Sequence, residues 1–248
     1  MNAIYILWLR QLKRFLRSRA RLIGSLGQPL LFLVALGFGF GPIYAKAGGG
    51  NYIQFLAPGI ICMTVLFTAI FTGIDIIWDR QFGFLKETLV APVSRYTIML
   101  GRTFGGATVS TIQGSLVFII SLIAGFRPVS WAYVPLALVL MFVIAILFTA
   151  LGTAIASVLQ DMQGFQLIMN FLVMPLFFLS GALFPLQGLP PVVTVIAMMD
   201  PLSYGVDAMR YALTLSTHFG LALDIIVLGA CVIVLTMLGG YLFSKTEV

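Results

Sequence analysis

The sequence GGYLFSKT at residues 239–246 comes within one residue of the phosphate-binding pattern Gly-x-x-x-x-Gly-Lys-Thr, with Ser244 where the second glycine belongs. That loop needs a strand before it and a helix after it, so that successive backbone N–H groups converge on phosphate oxygens. Here a long apolar run stands where the strand should be. No nucleotide site is expected in this chain. Other catalytic patterns are also missing. The single histidine, His218, excludes a His-x-x-x-His metalloprotease helix. No Gly-x-Ser-Gly occurs for an intramembrane serine nucleophile. Cys62 and Cys231 both sit in apolar runs, which suits buried thiols rather than a disulfide framework or a zinc site. We expect no catalytic residue and no metal site.

The remaining polar chemistry is charge. Residues 79–95, DRQFGFLKETLVAPVSR, hold Asp79, Arg80, Lys86, Glu87 and Arg95, in a chain with only 14 basic and 8 acidic residues. Asp75 and Arg102 flank this insert, and Asp224 lies far from it. Such charges near the ends of apolar segments read as interfacial snorkelling and local pairing. Asp75 or Asp79 is expected to pair with Arg102 across a helical hairpin.

The elements that carry these groups follow from composition. Hydrophobic residues make up 60% of the 248 positions and charged residues 9%. A soluble fold needs about a quarter of its residues charged, so the chain reads as a polytopic membrane protein. Lipid forces each spanning segment to satisfy its own backbone, which favours α-helices. Six spans are expected at 22–44, 52–78, 96–126, 132–159, 165–183 and 221–243. The AKA at 45–47 imitates a signal cleavage site. The apolar run before it, about 23 residues, exceeds the ~7–15 of a signal core, so it is expected to remain as a span.

Residues 1–21 are too charged to span. At helical periodicity Ile4, Trp8, Leu12 and Phe15 share one face and Arg10, Lys13, Arg14 and Arg17 the other, the pattern of an amphipathic interfacial helix. The segment 184–217 has Pro185, Pro190, Pro191 and Pro201 between apolar runs too short to cross. It reads as a pair of short re-entrant helices, opened at Pro190–Pro191 and Asp200–Pro201. Eleven of the 14 Lys and Arg fall on the side of the N-terminal helix, and three on the other. That bias puts both termini and the 79–95 insert in the cytoplasm. It also accounts for the net charge of +6 without a nucleic acid partner.

Two further patterns concern packing. Gly101, Gly105, Gly106, Ser110 and Gly114 recur in the third span and permit close helix approach, to another span or to a second copy. Phe67, Phe71, Met169 and Met174 belong to a set of aromatic and methionine residues in spans two and five. They read either as core and lipid-facing filler or as the lining of a path for apolar cargo.

Two stretches resemble the ABC-2 type transporter permeases. Residues 79–102 resemble that family's cytoplasmic coupling region through Gly83, Glu87, Leu89–Val90, Pro92 and Arg102. Residues 178–210 resemble its C-terminal signature more closely, through Phe-Leu-Ser-Gly ending at Gly181, Phe184–Pro185, Leu189–Pro190, Pro201–Leu202, Tyr204, Asp207 and Arg210. Asp200 stands where the family usually has Asn, and both residues cap a helix. Gln81 stands where it often has an acidic residue.

The resemblance implies an all-α membrane protein with six transmembrane helices, an N-terminal interfacial helix, a cytoplasmic coupling helix between spans two and three, and the re-entrant pair between spans five and six. It implies a permease rather than an enzyme, paired with a second copy as a homodimer in a bacterial or archaeal cytoplasmic membrane. Two copies of a separate ABC ATP-binding subunit would dock below, binding ATP and Mg. Gly83, Phe84, Leu85, Lys86, Glu87, Leu89 and Pro92 would meet that subunit, with Phe84, Leu85 and Leu89 as the apolar plug. Gly181, Phe184, Pro185, Pro190, Asp200, Pro201, Tyr204, Asp207 and Arg210 would form an outer gate. Drugs, lipids and lipid-linked glycans are the implied exported substrates. An ATP-independent secondary transporter or channel subunit is the alternative.

Overall fold

The computed structural model describes residues 3–46, 48, 50–90, 92–159 and 161–245, with side chains at 19–21 and 89 outside that description. Among the described residues every regular element is helical. The first, α1 (Ala3–Arg17), exposes Arg10, Lys13, Arg14 and Arg17 and buries Phe15, as its amphipathic pattern dictates. The first span is α2 (Arg19–Gly39). The chain breaks at Phe40 and resumes as the six-residue α3 (Gly41–Lys46), so the apolar run 22–44 is divided between two helices.

The second span comprises α4 (Tyr52–Phe71) and α5 (Ile74–Gln81), broken at Thr72–Gly73. A short helix α6 (Phe84–Val90) leads into the third span, α7 (Arg95–Ile123). Ser94 caps α7 by accepting from the Thr97 N–H. The fourth span, α8 (Val134–Val158), follows a single 3-10 turn. Asp161 caps the fifth, α9 (Met162–Leu179). Two short helices, α10 (Pro191–Met199) and α11 (Pro201–Thr214), bend by 86° at Asp200, whose carboxylate caps α11 at Leu202 N. The sixth span is α12 (Leu221–Ser244).

Helix α4 is packed among α2, α7, α8, α9 and α11. Of the second span 78% is buried inside the chain, against 17%, 22% and 11% of the first, fifth and sixth. Leu56, Ile60, Ile61 and Met63 of α4 therefore form the core, and α2, α9 and α12 keep broad apolar faces outward. In a membrane this inverts no rule, because lipid is as apolar as the core.

Close packing depends on glycine at particular crossings. A Cβ on Gly101 would lie 2.9 Å from Leu7 Cβ, and one on Gly105 2.7 Å from Gln11 Cβ. The small-residue stripe of the third span thus seats α1 of the same chain. Gly106 and Gly114, turned the other way, meet Thr149 and Val65 of α8 and α4.

Candidate functional site

The chemistry of the chain lies at two opposite ends of the bundle. Arg80 bonds the carbonyls of Ser157 and Leu159, whereas the Tyr52 hydroxyl bonds the carbonyl of Leu183. One end therefore holds α5 and α6, and the other the α10–α11 pair.

At the first end Gly83 adopts φ of 79°, a left-handed turn that favours glycine and lets α6 fold back from α5. The small helix then splits its side chains. Phe84 is 52% exposed, and Lys86, Glu87 and Pro92 also face outward. Leu85 is 0% exposed and anchors α6 in the chain's own core. It is not part of an outward apolar plug, and the Leu89 side chain lies outside the described residues. The outward apolar surface comes instead from Phe84, Val90, Trp78 and Phe82, the last two with ring centroids 5.5 Å apart. Sequence reasoning missed Trp78 and Phe82. Their spacing of four residues, one helical turn, was the available signal.

Beneath α6 lies a cluster of charges. Arg102 of α7 donates to Asp79 at 2.6 Å, with side-chain exposures of 5% and 6%. The expected hairpin pairing is thus present, through Asp79. Arg10 of α1 donates to the other carboxylate oxygen at 3.1 Å, and Arg14 lies 3.5 Å from Asp75. Arg80 places its guanidinium on the last carbonyls of α8, at 2.7 and 2.9 Å, where a helix terminus carries partial negative charge. Helix α5 is therefore tied by charge to α1, α7 and α8. Trp8 adds a bond from its indole N–H to Thr108 Oγ1 at 2.9 Å, fixing α1 along α7.

Between the ends, a cavity of about 260 Å³ opens among α1, α2, α4 and α7, lined by Phe15, Gln28, Thr64, Phe67, Phe71 and Val109. Two of the four candidate path residues, Phe67 and Phe71, line it. Met169 is buried in the core, and Met174 faces outward from α9. Gln163, Gln166 and Asn170 are exposed along α9 beside Phe171, as is Gln28 on α2.

At the other end, Gly181 has φ of 74° and its carbonyl accepts from Arg210 Nη2 at 3.0 Å. The Arg210 guanidinium also lies over Phe55, 4.1 Å from the ring centre. Phe184 is half-buried, and Pro185 and Pro190 are exposed. Pro201 opens α11. The Tyr204 hydroxyl donates to Met198 O at 2.8 Å, fastening α11 to α10. Asp207 gathers the 217–219 turn, accepting from Thr217 Oγ1 and the N–H groups of His218 and Phe219 at 2.8–2.9 Å. Asp207 and Arg210 thus hold separate neighbours and form no ion pair with each other among the described residues. Asp224 does not snorkel. It is 0% exposed, and neither carboxylate oxygen has a hydrogen-bond partner among the described residues.

Known proteins match this chain over most of its length. The family profile described as ABC-2 type transporter matches residues 2–214. The chain is similar to the inner membrane transport permease YadH of Escherichia coli K12, with 30% identity over 91% of this chain and 90% of the relative. It is also similar to the putative transport permease ycf38 of Cyanophora paradoxa, at 28% identity over 99% of this chain and 89% of that protein. Nodulation protein J of Rhizobium leguminosarum bv. trifolii is 28% identical over 83% of this chain and 76% of its own length.

Proposed function

The chain belongs to the ABC-2 type transporter family, and from that premise we propose that this membrane transport permease is the membrane-spanning half of an ATP-driven exporter. The observation that carries the proposal is α6. It is a short helix anchored by buried Leu85, and it presents Phe84, Lys86 and Glu87 outward beside Trp78 and Phe82. Aromatic anchors with a charged rim are what a protein partner buries.

The partner is a separate ABC ATP-binding subunit, present in two copies, which binds ATP and Mg and performs the hydrolysis. The permease itself is not an enzyme. Displacement of α6 by that subunit passes to α1 and α7 through Asp79 and to α8 through Arg80. A second permease copy completes the core as a homodimer along α2 and α9. Support for that face comes from Gln28, Gln166 and Asn170, exposed polar groups on spanning helices that lipid cannot hydrogen-bond. The cargo is a hydrophobic or amphipathic molecule, in keeping with a cavity walled by Phe67 and Phe71. The basic bias of the α1 side favours both termini in the cytoplasm, with α10 and α11 facing outward.

The test is purification of the tagged chain from its native membrane in mild detergent. The proposal expects an ABC ATP-binding protein in equimolar amount, and ATP-dependent efflux from proteoliposomes holding both. Transport by the permease alone, without ATP, would sink it.

A further inference from the structure

The pocket beside Arg210 holds a cation with no carboxylate in hydrogen-bond contact among the described residues. Its volume is about 250 Å³, and Tyr44, Phe55, Ser180, Ser203, Arg210 and His218 are among the residues that line it. Arg210 is the charged donor there. A guanidinium offers several N–H groups in a planar fork, yet the one protein acceptor it meets among the described residues is the carbonyl of Gly181, at 3.0 Å. Its Nε is buried without a partner, and so is the hydroxyl of Ser203, a residue 1% exposed. Both residues belong to α11 and line the same pocket.

The obvious counter-charge is engaged elsewhere. Asp207 lines the pocket too, but its two oxygens accept from Thr217, His218 and Phe219. Those bonds hold the 217–219 turn and leave Arg210 without a carboxylate in contact. Phe55 stacks under the guanidinium at 4.1 Å and limits the water that can reach that side. A buried polar group without a partner is costly, and a cation more so. Such a site is stabilised by a ligand that brings acceptor oxygens.

We propose that this pocket is an oxyanion-binding site, in which Arg210 and the Ser203 hydroxyl take the phosphate or carboxylate group of a small solute or of a lipid headgroup. The fork of a guanidinium matches two oxygens of such a group, and the adjacent hydroxyl supplies a further donor. The inference concerns binding to this chain alone and stands or falls separately from the exporter assignment.

The experiment follows thermal unfolding of the purified protein, together with whatever subunits co-purify, in two arms. The first titrates inorganic phosphate against chloride at matched ionic strength. The second compares nanodiscs of phosphatidylglycerol with nanodiscs of phosphatidylcholine. A ligand that binds only the folded state raises the midpoint saturably. Protection by free phosphate identifies a soluble anion; because both lipids carry a phosphodiester, protection by phosphatidylglycerol alone identifies a net-anionic headgroup. In either case Arg210→Gln removes the increment, Arg210→Lys keeps part of it, and Ser203→Ala weakens binding by about tenfold, the loss of one charge-assisted donor. Comparing each variant with wild type cancels anion binding at the basic face of α1. Absence of protection in both arms overturns the proposal, as does equal protection of wild type and Arg210→Gln. If Arg210→Gln does not fold, Ser203→Ala decides, and unchanged affinity in that variant overturns the site.

Discussion

Arg102 donates to Asp79 across 2.6 Å in the interior of the chain, joining the second and third spans. Removing Asp79 leaves Arg102 buried and unpaired, at a cost of about 3–5 kcal/mol, whereas removing Arg102 leaves Asp79 with Arg10 as its remaining cation. Asp79→Ala should lower the unfolding midpoint sharply, and Arg102→Met less so. The double variant should recover much of the loss, because neither charge is then stranded. Melting curves of the four proteins in one detergent would check this. Additive losses in the double variant would show that the two side chains act independently.

On α6, neighbouring positions should fail in different ways. Phe84→Asp and Glu87→Ala leave the permease folded and in the membrane, since both side chains are exposed. Phe84→Asp should weaken the ATP-binding subunit's hold by about 2 kcal/mol or more, as loss of an aromatic anchor does, and both variants should uncouple transport. Leu85→Ala should instead destabilise the permease itself by about 2–5 kcal/mol. Co-purification and membrane yield, measured side by side, separate the two outcomes. Normal transport by both exposed-site variants would remove α6 from the coupling route.

Gly105→Val tests the seat of α1. The added side chain meets Gln11, whose Cβ would lie 2.7 Å from the new Cβ. Overpacking of this kind costs about 1–3 kcal/mol, and the strain falls on the α1–α7 contact. Limited proteolysis should then cut α1 sooner than in wild type, with the six spans intact. Unchanged cleavage would mean that the Gly105 contact is not what holds α1 in place.

The pairing face can be tested by single-cysteine cross-linking in membranes, in a background with Cys62 and Cys231 replaced by serine and alanine. Phe171→Cys on exposed α9 should yield a covalent dimer under mild oxidation. Ile233→Cys on α12, equally apolar and also exposed, should not. The reverse pattern would move the dimer contact to α12.

Much of this architecture is legible in the residues. A charge in an apolar setting must find a partner, so Asp79 or Asp75 and Arg102 announce their pairing by their positions at the ends of a helical hairpin. The re-entrant pair is marked by prolines at 190–191 and 201, which open helices more readily than they continue them. The neighbour of Gly101 and Gly105 is not legible, because small residues encode closeness without naming what approaches. Leu85 was misassigned for a related reason. In a helix of seven residues the helical period has too few repeats to tell the anchored face from the projecting one. Met169 and Met174 sit on one short span, and their division between core and exterior depends on the tertiary position of α9. The same holds for Asp224, whose burial depends on what packs against α12 rather than on its own segment.

The break at Thr72–Gly73 has a mechanical consequence. There the backbones of Gly73 and Gly152 lie so close that neither position has room for a side chain. Were α5 displaced, that contact would be its pivot, with α4 locked in the core on one side and α5, fastened to α1, α7 and α8, as a short arm on the other. Eight residues of helix make an arm of roughly 12 Å. A tilt of about ten degrees would therefore carry α6 through about 2 Å. The same tilt would draw the arginines fastened to Asp79 along with it, so a push at the tip would reach α1 and α7 as a pull.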